Sequence, residues 1–454
     1  MPEISAGAQV FDLIFHPSHS TVYTGLLTGH IKAFAYDEQG HNKLTFSVRP
    51  SKRSCRALTI DADGSHLYAV GKAKALNIID TITENVEIRA GAHDSPINRI
   101  KYLMPWLLST GDDDGVIKLW DPRQRECTRK YTHHFDYITD FLWLEDKKQL
   151  VATSGDGTLS VMDIRSKKPE PYAQSEDQED ELLSIVAIKG YVAFPLFELK
   201  RLDNSASKVV VGTQIGILSI FNRSAGWGDC VDRIPGHPHS IDALCNLPTE
   251  FPGVDTTSTI LTGSSDGFVR AVEILPTKLV GVVADHGEWP VERIAIGGGT
   301  SQLTIDEDCA EKSRGKVGKG IDADKGPRDD TEQRPGRWWV GSVGHEEVVR
   351  LTDMEAFFHE AARQGGDDQS MNVSGEQGEV EDVEEDNSDD DSDSDAELEE
   401  PIEAKITEQE DDSDSEEEVS TAKKRKRKPE KNPLVVMKKG KNTVDAEPTF
   451  FDSL

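Results

Sequence analysis

The sequence predicts an all-β chain: a seven-bladed ring of four-stranded sheets, followed by a long charged tail. Three observations carry this. A segment ending in Leu119-Trp120-Asp121 has degraded copies before and after it. The first four copies end at Asp37, Asp80, Asp121 and Asp163, steps of 43, 41 and 42 residues, the length of a four-stranded unit with its turns. Beyond about Gly365 the apolar pattern stops and acid and serine take over.

The copies follow in order. The first runs from Val10-Phe11-Asp12-Leu13-Ile14-Phe15 through a turn at Pro17 to Ile31–Asp37. The second has its turn at Asp63-Gly64 and ends Leu76-Asn77-Ile78-Ile79-Asp80. The third opens at Gly91-Ala92-His93, turns at Asp113-Asp114-Gly115 and closes on Trp120-Asp121. The fourth holds Asp156-Gly157 and Leu159–Asp163. The fifth holds Val209–Gly212 and Ile217–Asn222. The sixth has Gly236-His237, Asp266-Gly267 and Phe268–Glu273. The seventh has Trp338–Gly341, Gly344-His345 and Val348–Asp353. Each closing segment alternates apolar and polar residues, the period of a half-buried strand. Later steps lengthen to 59, 51 and 80 residues, so the second half carries insertions. The largest, near 300–336, is rich in Lys, Asp, Gly and Arg and is expected as a mobile surface loop of the last blade. Unrelated β-sandwiches would not explain the regular spacing. One blade cannot bury both faces alone, so the copies must stack. Either Met1–Gln9 or the stretch after Asp353 supplies the last outer strand.

Spacing within a blade also assigns structural roles. Trp120 is large and flat enough to fill the wedge between blades. A histidine in the turn before the first strand can bond an aspartate in the turn before the third. His93 with Asp114 is the leading pair, completed by Ser109 or Thr110, and His237 with Asp266 is the second. A His–Asp pair can also act as a catalytic dyad. The repeat accounts for these two as structural pairs.

Charge divides the chain. The net charge is −32. Residues 366–422 hold 26 acids and one Lys, and residues 423–454 hold ten Lys or Arg against four acids, which leaves −13 for residues 1–365. Residues 1–360 therefore read as the propeller, 361–422 as a disordered acidic tail and 423–454 as a basic segment with a terminal motif. The acidic stretch has too little apolar surface to offset its chain entropy. Ser388, Ser392, Ser394, Ser413 and Ser415 each stand three residues before an acid, the pattern an acidophilic kinase reads. Lys423, Lys424, Arg425, Lys426, Arg427 and Lys428 form an uninterrupted basic block, read as a nuclear-import signal, with a nucleic-acid patch as the rival. The ending Pro448–Leu454, with Phe450 and Phe451, has the look of a short docking motif.

Five cysteines without a Cys-x-x-Cys pair argue against a disulfide framework or a cysteine-rich zinc site and fit a reducing compartment. Met1–Ser5 lacks the blocks of a signal peptide, and no apolar run approaches a bilayer-spanning length. No cofactor, metal, membrane or small-molecule substrate is expected. Gly297-Gly298-Gly299-Thr300 and Gly315–Gly320 lack phosphate-loop spacing. His133-His134 has no carboxylate at metal-ligand spacing. Gly263-Ser264-Ser265-Asp266-Gly267 has the outline of a nucleophile elbow but falls where the repeat demands a turn.

The turn-strand pattern ending in Trp120-Asp121 resembles a WD-repeat blade. With the opening Val10–Pro17, the third blade Gly111–Arg123, the acidic tail, the Lys-Arg block and the ending Phe450–Leu454, the chain resembles the WD-repeat protein fifty-five family, and within it the fungal nucleolar branch. That resemblance implies a non-catalytic nucleolar scaffold in ribosome biogenesis and rRNA processing. Its implied partners are pre-ribosomal or other nucleolar factors and an import receptor. Basic ribosomal or histone proteins would meet the acidic tail, and RNA contact would be indirect or weak. Trp120-Asp121-Pro122-Arg123 also resembles the Trp-Asp-x-Arg motif that docks some WD-repeat proteins on the adaptor of cullin-type ubiquitin ligases. In that alternative Trp120, Asp121 and Arg123 form the docking edge, and Asp163-Ile164-Arg165 partly repeats it. A third reading is a chaperone for basic nuclear proteins driven by the acidic tail.

Overall fold

The computed structural model describes residues 1–188, 208–298 and 337–367. They build seven four-stranded antiparallel sheets, so the seven-bladed propeller stands. Blade one is β2 (Val10–Phe15), β3 (Thr21–Leu26), β4 (Ile31–Tyr36) and β5 (Asn42–Val48). Blade two is β6 (Cys55–Ile60), β7 (His66–Gly71), β8 (Leu76–Asp80) and β9 (Val86–Arg89). Blade three is β10 (Ile97–Met104), β11 (Leu107–Asp112), β12 (Ile117–Trp120) and β13 (Cys127–Tyr131). Blade four is β14 (Ile138–Leu144), β15 (Gln149–Ser154), β16 (Leu159–Asp163) and β17 (Ala173–Gln174). Blade five is β18 (Leu182–Ile188), β19 (Lys208–Thr213), β20 (Ile217–Asn222) and β21 (Asp232–Pro235). Blade six is β22 (Ile241–Asn246), β23 (Thr259–Ser264), β24 (Phe268–Ile274) and β25 (Thr277–Asp285). Blade seven joins β26 (Val291–Gly298), β27 (Trp338–Gly344) and β28 (Val348–Asp353) to β1 (Glu3–Ser5).

The N-terminus, of the two candidates, closes the ring. Ile4 lies opposite Val349 in the β1–β28 ladder and is fully buried. The stretch after Asp353 instead forms helix α1 (Met354–Asp367). Asp353 caps it, its Oδ1 accepting the Ala356 amide at 3.1 Å. Met354 and Phe358 recur at the i, i+4 spacing of one helix face and pack into a core with Leu247, Phe251 and Val283.

Burial explains the sequence pattern. The second strand of each blade lies between neighbouring sheets on both faces, so all six residues of β15 and of β23 are buried. Continuous apolar runs, not alternation, mark such strands. The third strands also bury both faces over much of their length, as the unbroken burial of Leu76–Ile79 shows, so strict alternation holds for them only in part. Outer strands such as β9 keep their side chains at the surface. Gly115 shows what the Asp-Gly turns need: its φ is +74°, and a Cβ there would lie 2.7 Å from the His134 carbonyl oxygen.

One irregularity recurs in all seven blades. The ladder between the first and second strands slips by one residue near the start of the first strand. A β-bulge leaves one residue unpaired and re-aims it. The seven unpaired residues are Phe11, Arg56, Asn98, Thr139, Leu183, Asp242 and Glu292.

Candidate functional site at the channel mouth

Antiparallel strand order puts the loops before each first strand, and the turns between second and third strands, on one side of the ring. All seven bulged residues line one cavity there, of about 490 Å³, at the mouth of the central channel. The innermost strands are tied blade to blade around it. Asp12 Oδ2 accepts the Leu58 amide at 2.6 Å, and the Tyr102 amide donates to Thr59 Oγ1 at 3.1 Å. Arg99 Nε donates to the Thr139 carbonyl, and Thr139 Oγ1 donates to the Leu182 carbonyl at 2.5 Å. Ser184 Oγ donates to the Ile241 carbonyl at 2.9 Å, and Arg293 Nη1 donates to the Asp242 carbonyl at 3.3 Å. Arg293 Nε stands 4.0 Å from Asp12 Oδ1 and completes the circuit. Burial pushes the Asp12 carboxyl up to about 7, against the pull of Arg99 and two amides.

The mouth is charged, and its charges are largely paired. Arg56 Nη1 meets Asp113 Oδ1 at 2.9 Å and Asn98 Oδ1 at 2.5 Å. His345 Nε2 lies 2.7 Å from Glu292 Oε1, and that bond raises its pKa. Ser265 Oγ donates to Asp242 Oδ2 at 2.6 Å, so the serine of the elbow-like motif serves a turn and has no histidine base. Gly297 gives no phosphate cradle: a Cβ there would fall 2.2 Å from the Phe15 ring, which marks close packing of blade seven on blade one. Among the described residues no group of three or more His, Cys, Asp or Glu side chains is placed to hold a metal ion.

Behind the mouth, histidine networks fix the loops. In blade three the buried His93 pairs through Nδ1 with Asp112 Oδ2 at 2.7 Å and through Nε2 with Thr110 Oγ1 at 2.6 Å. Trp120 Nε1 donates to the same hydroxyl at 2.8 Å. The partner is therefore Asp112, not Asp114, and the hydroxyl is Thr110, not Ser109. Asp112 ends β11 and points inward, and its Oδ1 accepts the Asp114 and Val116 amides at 3.1 and 2.8 Å. Asp114 lies in the turn itself and supplies only its amide to this network.

His237 bonds Thr262 Oγ1 at 2.9 Å but not Asp266, because Arg270 holds both Asp266 oxygens at 3.1 and 2.6 Å. Burial, with Arg270 adding to it, pushes the His237 imidazole down to about 4. The equivalent position in blade three is Lys118, which donates to the Ala92 carbonyl at 2.7 Å and leaves Asp112 to the histidine.

Two further networks lie where the sequence reading found none. His134 bonds Asp156 Oδ2 at 3.0 Å and Ser160 Oγ at 2.7 Å in blade four. His286 bonds Ser342 Oγ at 2.8 Å in blade seven. Blade four has Met162 in register where blade three has Trp120, so no Trp-Asp end marked it. The signal available was the His134-to-Asp156 spacing, 22 residues against 19 for His93 and Asp112.

These rigid loops hold exposed apolar side chains around the mouth. Phe135 is 91% exposed, and its amide donates to Asp156 Oδ2 at 2.9 Å. Trp289 is 50% exposed and follows His286 in the loop before β26. Ile215, 63% exposed, tops the β19–β20 turn.

On the opposite side, after β12, Asp121 grips Arg123 with two bonds, Nε–Oδ1 at 2.9 Å and Nη2–Oδ2 at 2.7 Å. The arginine holds the Asp121 carboxyl down at about 2. Asp163 and Arg165 repeat both distances in blade four.

A family model described as WDR55 matches residues 1–304. The chain belongs to the WDR55 family. "WD repeat-containing protein JIP5" of Laccaria bicolor is 59% identical over 482 residues, covering 100% of both chains. The protein of the same name in Coprinopsis cinerea is 61% identical over 79% of this chain and 76% of its own. "WD repeat-containing protein 55" of Arabidopsis thaliana is 34% identical over 65% of this chain and 76% of its own.

Beyond the Asp121–Arg123 pair, the residues singled out by sequence in this WDR55-family propeller fall into three groups. His93 and Trp120 share one network, joined by Asp112 and Thr110. His237 and Asp266 stand near each other with separate partners. The basic block Lys423–Lys428 and Ser388, Ser392, Ser394, Ser413 and Ser415 lie outside the described residues. Besides the His134 and His286 networks, the bulge ring is a feature that sequence reasoning missed. Its members are chemically unlike one another, so no residue type repeats at the position.

Proposed function

We propose that this WDR55-family protein is a non-catalytic scaffold of the nucleolus that holds protein partners during ribosome biogenesis. The observation that carries the docking reading is the exposure of Phe135 and Trp289 on loops fixed by buried histidine networks. An exposed aromatic that is already ordered binds with little further loss of entropy. The paired charges of the channel mouth support a recognition surface over a catalytic one. The nucleolar part rests on the family resemblance and on the acidic and basic blocks of the tail. In this reading Lys423–Lys428 directs nuclear import.

The test is affinity purification of tagged full-length protein, with mass spectrometry and RNA sequencing of the eluate. Wild type is expected to recover pre-ribosomal proteins and precursor rRNA, and a Phe135→Ala/Trp289→Ala variant is expected to lose them. Partners unrelated to ribosomes, or recovery unchanged in that variant, would overturn the proposal. The ligase-receptor alternative is favoured by one observation: Arg123 is 57% exposed at its side chain and pre-oriented by Asp121. Recovery of a cullin adaptor that disappears with Arg123→Ala would put that reading first.

A further inference from the structure

On the side opposite the channel mouth, a cavity of about 440 Å³ opens at the seam of blades two and three. Tyr68 of β7, Tyr102 of β10 and Trp106 of the β10–β11 turn supply aromatic surface, and Asp61, Asp63 and Glu87 supply negative charge, with His66 Nδ1 3.0 Å from Asp61 Oδ2 and Arg89 Nε 2.9 Å from Glu87 Oε1. The one arginine in the lining, Arg123, is already neutralised by Asp121. Its guanidinium carbon sits 4.5 Å from the Trp106 ring centroid, so the indole already holds a cation on one face. Trp106 is 55% exposed and has a φ of +67°, a left-handed backbone that a bulky side chain rarely adopts. Strain of this kind clusters at functional sites. Burial raises the pKa values of both phenols, and the charge of Asp61 and, to a lesser extent, Asp63 adds to it.

We propose that this cavity takes a lysine or arginine side chain presented by a basic segment of a partner protein. Aromatic faces attract a cation through their quadrupoles, and the acids at the rim give charge complementarity and steer its approach. The carboxylates already hold Ser65, His66 and Arg89, so an apolar side chain would gain nothing from their charge, and an anion would be repelled. The site lies on the other face of the ring from Phe135 and Trp289, and its occupancy is independent of the nucleolar role.

The test uses the purified full-length chain and a six-lysine peptide carrying a benzophenone, cross-linked at physiological salt and mapped by mass spectrometry. Cross-links are expected within residues 61–68 and 102–106. Trp106→Gly is expected to lower their yield about tenfold and Trp106→Phe to keep most of it. Glycine accepts the +67° backbone, so the thermal midpoint of Trp106→Gly should equal or exceed that of wild type. The pair Asp63→Asn/Glu87→Gln, at the surface, is expected to lower the yield about threefold without unfolding the chain. Cross-links confined to residues 366–422, or equal yields at the cavity in wild type and Trp106→Gly, would overturn the proposal.

Discussion

Replacing Thr110 by valine keeps the shape of a fully buried side chain and removes one oxygen, on which two groups depend. Proton counting orders the network. Asp112, when ionised, can only accept, so His93 Nδ1 carries the proton. The neutral ring then accepts at Nε2, and Thr110 donates to it at 2.6 Å while accepting from Trp120 Nε1 at 2.8 Å. Burial lowers the His93 pKa, in keeping with the neutral ring. Thr110→Val leaves a buried indole N–H and a buried imidazole nitrogen without partners. Each such group costs roughly 1–3 kcal/mol, so the substitution should destabilise the propeller by about 2–6 kcal/mol. Equilibrium urea unfolding reads this directly. A cycle with Trp120→Phe, which removes the same donor, should show coupling of about 1 kcal/mol, because the second change has less left to break. A cost under about 0.5 kcal/mol, or strict additivity with Trp120→Phe, would refute the network as described.

Three further predictions follow from the same geometry. Asp112→Asn turns an amide N–H toward His93 Nδ1–H and should cost roughly 2–3 kcal/mol, while Asp114→Asn should stay within about 0.5 kcal/mol; equal effects in chemical denaturation would restore Asp114 as the histidine's partner. Ile4→Asp places a charge in the fully buried closing strand and should cost about 4 kcal/mol or more, seen as a large drop in thermal midpoint; an unchanged melt would mean that β1 does not close the ring. For pH, burial pushes His133 and His237 down to about 4, so only the unfolded chain takes up their protons below about 6.5. Their contribution is full above 6.5 and is lost as pH falls toward about 4. Asp12, raised to about 7, acts in the opposite sense across the same window but is common to any comparison. Urea midpoints at pH 7.5 and 5 should therefore differ less in a His133→Gln/His237→Gln variant than in wild type; identical slopes would show that these rings are not held neutral.

Much of the architecture was legible because it rests on local, repeated chemistry. The Asp-Gly turns, the Trp120-Asp121 end and steps of about 42 residues each report a constraint that one blade imposes on itself. The pairings within a blade were less legible. Asp112, Asp113 and Asp114 are consecutive carboxylates, and only the direction of β11 decides which one points at His93. At Asp266 a neighbour four residues away, Arg270, outcompetes the histidine, and its reach depends on the register with Thr262. The His134 network has no Trp-Asp signature along the chain because serine and methionine stand where blade three has lysine and tryptophan.

The number of blades, their order and the break to a charged tail are written along the chain, since strand period, turn chemistry and composition are properties of short segments. Folding in three dimensions settles that Ile4 closes the ring, that seven unlike bulged residues converge on one channel mouth, and that Tyr68, Tyr102 and Trp106 from two blades line one cavity. Those groupings join residues tens to hundreds of positions apart. They exist because stacked, twisted sheets bring those residues together, and no local pattern along the chain encodes that.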